Sequence, residues 1–191
     1  QYLARFAGIV RPCYSRTGLI LWALLVCTAL LAARASWDSI AAHAATDVLT
    51  PRFLLLTWLC YPLVKLVHEF AHAFAVKVLG GEVREMGIRV LFLTPVPYVD
   101  ASAATAFRSK WQRITVSAAG IMAELLLAGL ALLIWISVEQ SLVKDIAFVT
   151  MFIGSVSTVV FNGNPLLRFD GYYIFSDWLD LPNLAQRSNA Y

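Results

Sequence analysis

Charge is what this sequence has least of. Asp, Glu, Lys and Arg make up 14% of its 191 residues, against about 25% in a typical soluble domain. That leaves too little charge to cover a surface facing water on all sides. The net charge of +3 is modest and unevenly placed; it bears on topology more than on nucleic acid, and no nucleic-acid partner is expected. Cysteine is also scarce. Cys13, Cys27 and Cys60 are odd in number, far apart and without zinc-ligand spacing, so they read as reduced packing residues. Internal repeats, low-complexity segments and flexible linkers are lacking too, which leaves one compact bundle.

Apolar sequence is what is there. Hydrophobic residues make up 60% of the chain and the mean hydropathy is +0.71. Four apolar stretches stand out: Gly18 to Ala33, Phe53 to Leu79, Ile114 to Val138 and Ile146 to Phe161. At ~1.5 Å per residue each can cross, or nearly cross, a ~30 Å hydrocarbon core. The first has a rival reading, because Arg5, Arg11 and Arg16 precede it and Ala33-Arg34-Ala35 resembles a signal-peptidase site. The tract is long for a signal, and basic flanks are equally normal for a retained span. The chain begins at Gln1 and stops at Tyr191 without an obvious terminus, which reads as a piece of a longer protein.

Basic residues give an orientation. The N-terminal segment has three Arg and no acid. The loop Ala35 to Arg52 sets Asp38 and Asp47 against one Arg, and carries His43 as an ordinary loop histidine. Lys77 to Arg113 holds six Lys or Arg, and the loop near Glu139 to Asp145 one Lys. Positive-inside logic places both ends and the long middle loop in the cytoplasm. In that loop, Gly80-Gly81 reads as a helix C-cap. Ile88 to Leu93 then reads as a strand, Thr94-Pro95-Val96-Pro97 as a proline turn, and Tyr98 to Asp100 as a second short strand. The apolarity of this hairpin suggests that it dips into the membrane, against protein or a wet cavity. Phe107 to Arg113, with Trp111 among basic residues, reads as an interfacial lead-in. The expected fold is an all-α membrane protein: a polytopic bundle of about four transmembrane helices, with a membrane-associated β-hairpin between the second and third.

The chemistry concentrates in His68-Glu69-Phe70-Ala71-His72. Residues four apart share a helix face, so both imidazoles can reach one ion with Glu69 beside them. Zinc accepts such nitrogens and keeps a position for water in catalytic sites. A neighbouring carboxylate can take that water's proton during attack on a carbonyl. H-E-x-x-H arises by chance in soluble proteins, and a pair of satisfied interior histidines is the bland alternative. In an apolar span, however, ionisable groups are costly and usually functional, and Tyr61 and Lys65 lie on nearly the same stripe. Lys65 either counters the site's negative charge or snorkels. Pro62 frees a carbonyl one turn earlier and is expected to kink the helix.

Two histidines need a third ligand. Asp170 is one candidate, in the cluster Asn162-Gly163-Asn164-Pro165-Leu166-Leu167-Arg168-Phe169-Asp170-Gly171-Tyr172-Tyr173 that closes the fourth span on the histidines' side. Pro165 and the glycines break the helix and let the carboxylate turn inward. Glu124 is the other candidate. It lies on a face with Ser117, Gly120, Ala128 and Ala131 that suits close helix packing. Thr150, Gly154, Thr158 and Asn162 form a similar stripe in the fourth span.

With these residues in place, the sequence resembles the site-2 protease family of intramembrane zinc metalloproteases, from about Leu54 to Leu184. Three elements carry the resemblance in the family's order: His68 to His72 in a span, the glycine-containing span with Ala119-Gly120, and the pattern N-x-x-P-x-x-x-L-D-G. Asn162, Pro165, Asp170 and Gly171 stand at the pattern's offsets, with Phe169 in the Leu position. The wording around Asn164 to Tyr173 is most similar to a bacterial branch of peptide zinc metalloproteases, some of which continue into periplasmic or secretion-adaptor domains. The resemblance implies Zn2+ as cofactor, His68, His72 and Asp170 as ligands, and Glu69 as base. It also implies Asn162 as a polar group near the site, and the Ile88 to Tyr98 hairpin as an element that aligns substrate.

On this reading, 1–191 is one membrane-embedded metalloprotease domain, with 1–50 an N-terminal segment and accessory span and 51–191 the catalytic core. It is expected in the bacterial inner membrane, N-terminus cytoplasmic, acting on membrane-embedded or membrane-associated protein or peptide substrates. One departure stands out. Where many members have Gly-Pro and then Asn four residues after the Gly, this chain has Gly120-Ile121 and Glu124. Glu124 is left to bind substrate, tune the metal or serve structure. An inactive metal-binding scaffold or peptide binder, or a metal transporter, are the rival functions.

Overall fold

The computed structural model describes residues 2–91 and 93–181. Phe92, in the expected hairpin, and Leu184, at the end of the family resemblance, lie outside the described residues. The chain is mostly helical, with one small antiparallel sheet. In order come α1 (Tyr2–Val10), a 3-10 turn (Arg11–Tyr14), α2 (Arg16–Ala35), α3 (Trp37–Asp47), α4 (Pro51–Val78), β1 (Met86–Leu91) and β2 (Thr94–Val99). A second 3-10 turn (Ser102–Ala106), α5 (Lys110–Ser137), α6 (Leu142–Val156), a π-helical turn (Ser157–Asn162) and α7 (Asp170–Trp178) complete it. Among the described residues, four helices are long and apolar enough to cross a membrane: α2, α4, α5, and α6 with its π turn.

Local chemistry sets the limits of α4. Thr50 caps its start by accepting the Phe53 N–H at 3.2 Å, and Pro51 occupies the first turn, where a missing donor costs nothing. At the other end Gly80 adopts φ 87°. Gly81 N–H reaches the Val76 carbonyl at 2.8 Å and Gly80 N–H that of Lys77 at 3.1 Å, the paired bonds of a Schellman stop. Between these ends the helix runs unbroken through Pro62.

α5 is the hub of the bundle and packs against α2, α4, α6 and α7. Small residues permit this. A Cβ on Gly154 of α6 would lie 3.0 Å from the Glu124 carbonyl and 3.1 Å from the Ala128 Cβ of α5. Two apolar cores lie on either side of the α4 histidines. One gathers Phe53, Val64, Trp135 and Phe148; the other gathers Ala75, Val76, Val116 and Ala119. The stretch of α4 between them carries His68 and His72.

Two local expectations are corrected. The loop expected from Ala35 to Arg52 is mostly helix α3, and His43 is helical. It faces Asp47 one turn on at 3.0 Å and sets its ring 4.4 Å from that of Phe148. Burying that face offsets the weak intrinsic tendency of so short a helix. The prolines expected in the hairpin turn lie inside β2 instead, with Pro95 opposite Val90 and Pro97 opposite Ile88. Residues two apart aim their backbone groups the same way, and Val99 N–H, on that same side, points away from β1 to Glu69. The prolines therefore remove donors only from the outer edge, where strands tolerate them.

Candidate metal centre

His68 and His72 lie on one face of α4, both buried, and Asp170 reaches them from the first residue of α7. His72 Nε2 is 3.0 Å from His68 Nε2. Asp170 Oδ2 is 3.2 Å from His68 Nε2 and 3.4 Å from His72 Nε2. Ligand atoms ~2.0–2.1 Å from a tetrahedral zinc lie roughly 3.3 Å from one another. The triangle already has that size.

Three further observations bear on its fit to a metal. His72 Nδ1 is 2.7 Å from the Val116 carbonyl, which only accepts, so the proton is assigned to Nδ1 and the Nε2 lone pair faces inward. Asp170 Oδ2 is buried with no hydrogen-bond donor, an arrangement that costs energy unless a cation compensates it. Finally, a Cβ on Gly120 would come within 2.5 Å of His72 Nε2 and would also overlap the His68 ring. Only glycine leaves the inner side of the imidazoles free. Among the described residues, His68, His72 and Asp170 form a group that could hold a metal ion.

Glu69 points elsewhere on α4. Its Oε2 accepts the Val99 N–H of β2 at 2.9 Å, and its side chain lines the same cleft as the histidines. That cleft has a volume of about 1310 Å³ and extends from Thr57, past Tyr61, Lys65 and the histidines, to Asp180. From Thr57 to His72 it follows α4 for about 22 Å.

Glu124 is not a fourth corner of the triangle. It is fully buried on α5, one oxygen accepting from Lys65 Nζ at 2.6 Å and lying 3.1 Å from His68 Nδ1. The other accepts from Thr158 Oγ1 at 2.9 Å and Asn162 Nδ2 at 2.8 Å. Lys65 Nζ also donates to Ser157 Oγ at 2.6 Å. Of the two roles open to Lys65, the fold gives it the ion pair. Three carboxylates, Glu69, Glu124 and Asp170, against the one Lys65 ammonium leave two formal negative charges around the histidines. A dication would cancel them.

The supporting residues differ in their placement. Asn162 ends the π turn, a wide turn often found at functional sites, and holds Glu124 rather than the triangle. Gly171 packs against the loop before it, where a Cβ would lie 2.6 Å from the Gly163 carbonyl. That close approach lets Asp170 turn inward. Pro165 is exposed in the 163–169 loop, outside the cleft lining. Sequence reading missed the Val116 carbonyl, the Val99 N–H and Tyr14. The Tyr14 hydroxyl donates to the Ala71 carbonyl at 2.7 Å, and burial pushes it up to about 12, so it stays a donor. Nothing in the spacing of these residues signals their partners.

Among the described residues, fold and site together define a helical bundle with four potential membrane spans and a His-His-carboxylate group whose imidazoles are buried and whose carboxylate is partly so. No family model matches the chain, and no curated protein or solved structure matches it either.

Proposed function

We propose that this chain is an intramembrane zinc metalloprotease that cleaves membrane-embedded or membrane-associated proteins or peptides. The observation that carries the proposal is the triangle of His68 Nε2, His72 Nε2 and Asp170 Oδ2, sized for a tetrahedral ion, with the Glu69 carboxylate on the same cleft. A His-His-carboxylate set with room for water suits catalytic zinc. Once bound, zinc would supply Lewis acidity and water with a pKa near ~7.

The chain's own residues would do the rest. His68, His72 and Asp170 hold the ion, Glu69 takes a proton from the attacking water and returns it to the leaving amine, and the Val99 N–H fixes the Glu69 carboxylate. A helical substrate must unwind before its peptide bonds can react, and the hairpin could receive the freed segment by strand addition. The four apolar helices support a multi-pass membrane protein; on the proposed reading it would sit in the bacterial inner membrane, where positive-inside logic would put its N-terminus in the cytoplasm. Partners would be the bilayer, the substrate, and fused or associated secretion-adaptor domains.

A metal transporter would need a path beyond the ligands. The cleft does continue along α4, but past the paired Lys65 it meets only the hydroxyl residues Tyr61 and Thr57 of that helix, not a second set of carboxylates and imidazoles. The test is Glu69→Gln with zinc analysis. The variant should keep its zinc and lose cleavage of a co-expressed membrane substrate, and unchanged cleavage would remove the protease reading in favour of a scaffold or peptide binder. His72→Ala should lose zinc.

A further inference from the structure

We propose that Glu124 and Lys65 are positioning residues for the metal ligand His68: Glu124 sets the ring, and Lys65 holds Glu124. This rests on the metal-site reading above and goes beyond it in assigning a role to the place where the chain departs from the resembled family. A ligating histidine almost always donates its other ring N–H to a carboxylate, a backbone carbonyl or water, which fixes the tautomer and the ring. For His72 that partner is the Val116 carbonyl. For His68 it is Glu124 Oε1, 3.1 Å from Nδ1. The alignment falls short of a hydrogen bond, but among the described residues no other acceptor serves this buried nitrogen.

Glu124 is suited to nothing else in the cleft. Its side chain has no exposed surface. Lys65, Thr158 and Asn162 occupy its oxygens, which leaves His68 Nδ1 as the remaining neighbour. It can therefore neither bind substrate nor move into the ligand triangle. An unpaired carboxylate at this depth would be costly, and removing one member of such a pair is strongly destabilising, so Lys65 is required wherever Glu124 is. Lys65 also contacts Ser157 Oγ at 2.6 Å, which brings to mind a Ser-Lys dyad. The ammonium is committed to Glu124, however, and cannot serve as a base. Ser157 instead closes the network by accepting from Asn162 Nδ2 at 3.3 Å. The π turn thus presents Thr158 and Asn162 to the Glu124 carboxylate and Ser157 to its partner Lys65, and ties α4, α5 and the end of α6 to the orientation of a single imidazole.

The test uses the purified full chain in detergent, stripped of metal and titrated with zinc against a chromophoric chelator, then with Co2+ for its visible absorption. Glu124→Gln should bind zinc roughly 10–100-fold more weakly and shift the cobalt spectrum, with the helix content of the metal-free chain unchanged. Lys65→Met should lose a similar factor. Because Lys65 acts through Glu124, the double variant should lose no more than the worse single one. Where Glu124→Gln does not fold, Glu124→Leu with Lys65→Met leaves no unpaired charge and should show the same loss. Wild-type affinity and spectrum in Glu124→Gln, or losses that multiply in the double variant, would overturn the assignment. A wild-type chain that takes up neither zinc nor cobalt would instead overturn the metal-site reading beneath it.

Discussion

The backbone N–H of Val99 donates to the Glu69 carboxylate across 2.9 Å, so the last residue of the hairpin is bonded directly to the residue proposed as catalytic base. The bond joins β2 to α4 over thirty positions of sequence. It also separates two roles of one strand, because the side of β2 that pairs with β1 is not the side that holds Glu69.

Val99→Pro tests that division. It removes only the outward donor, and Tyr98 before it is already extended, as a residue preceding proline should be. The hairpin and the metal should survive. A hydrogen bond to a charged group contributes about 1.5–3 kcal/mol, so cleavage should fall roughly 10–100-fold at unchanged zinc content. Undiminished turnover would show that Glu69 needs no anchor.

Gly120→Ala should abolish metal binding without altering any ligand. The added methyl would sit 2.5 Å from His72 Nε2, and α5 is packed on several sides, so neither helix can retreat cheaply. Zinc per purified chain is the measurement. A full complement would mean that the imidazoles bind metal in some other orientation.

Metal removal should be visible in stability. The stripped site keeps a buried, unpartnered Asp170 oxygen and two uncompensated formal charges. Zinc at one hundred times its dissociation constant should stabilise the chain by about 2.7 kcal/mol, seen as a thermal transition that rises with zinc concentration. A transition indifferent to zinc and chelator would contradict the site.

Much of this was legible in the sequence, and the reason is locality. The four apolar helices, the Gly80 stop and the spacing of His68 and His72 are patterns within one or two helical turns. So is the run of helix breakers before Asp170. Short or partnered elements were not legible. α3 looked like a loop because its helical state depends on His43 packing against Phe148, a contact with distant sequence. Pro95 and Pro97 looked like a turn because composition does not reveal which strand edge is free. Lys65 and Glu124 lie 59 residues apart, and no periodicity connects them. The Val116 carbonyl is backbone and leaves no mark on residue identity.

The helix that carries Asp170 is moored to α5, and the mooring should matter to the metal. Arg113 Nε meets Asp177 Oδ1 at 2.6 Å in a half-buried pair, while Lys110 meets Asp180 at 2.7 Å at a more exposed position. Asp177→Asn should weaken zinc binding about fivefold, the equivalent of ~1 kcal/mol, and Asp180→Asn should have almost no effect, as for most exposed pairs. Equal effects would indicate that α7 is held by its apolar contacts alone.

The central claim is tested most directly by placing the purified, zinc-loaded chain in liposomes with a single-span peptide in water enriched in heavy oxygen, and weighing the products. The account predicts two fragments, the label appearing in the new C-terminal carboxylate, and no fragments from the chelated chain or from zinc-loaded Glu69→Gln. Equal cleavage by zinc-loaded Glu69→Gln, or a peptide left intact by the zinc-loaded wild-type chain across a panel of helix-breaking sequences, would contradict it.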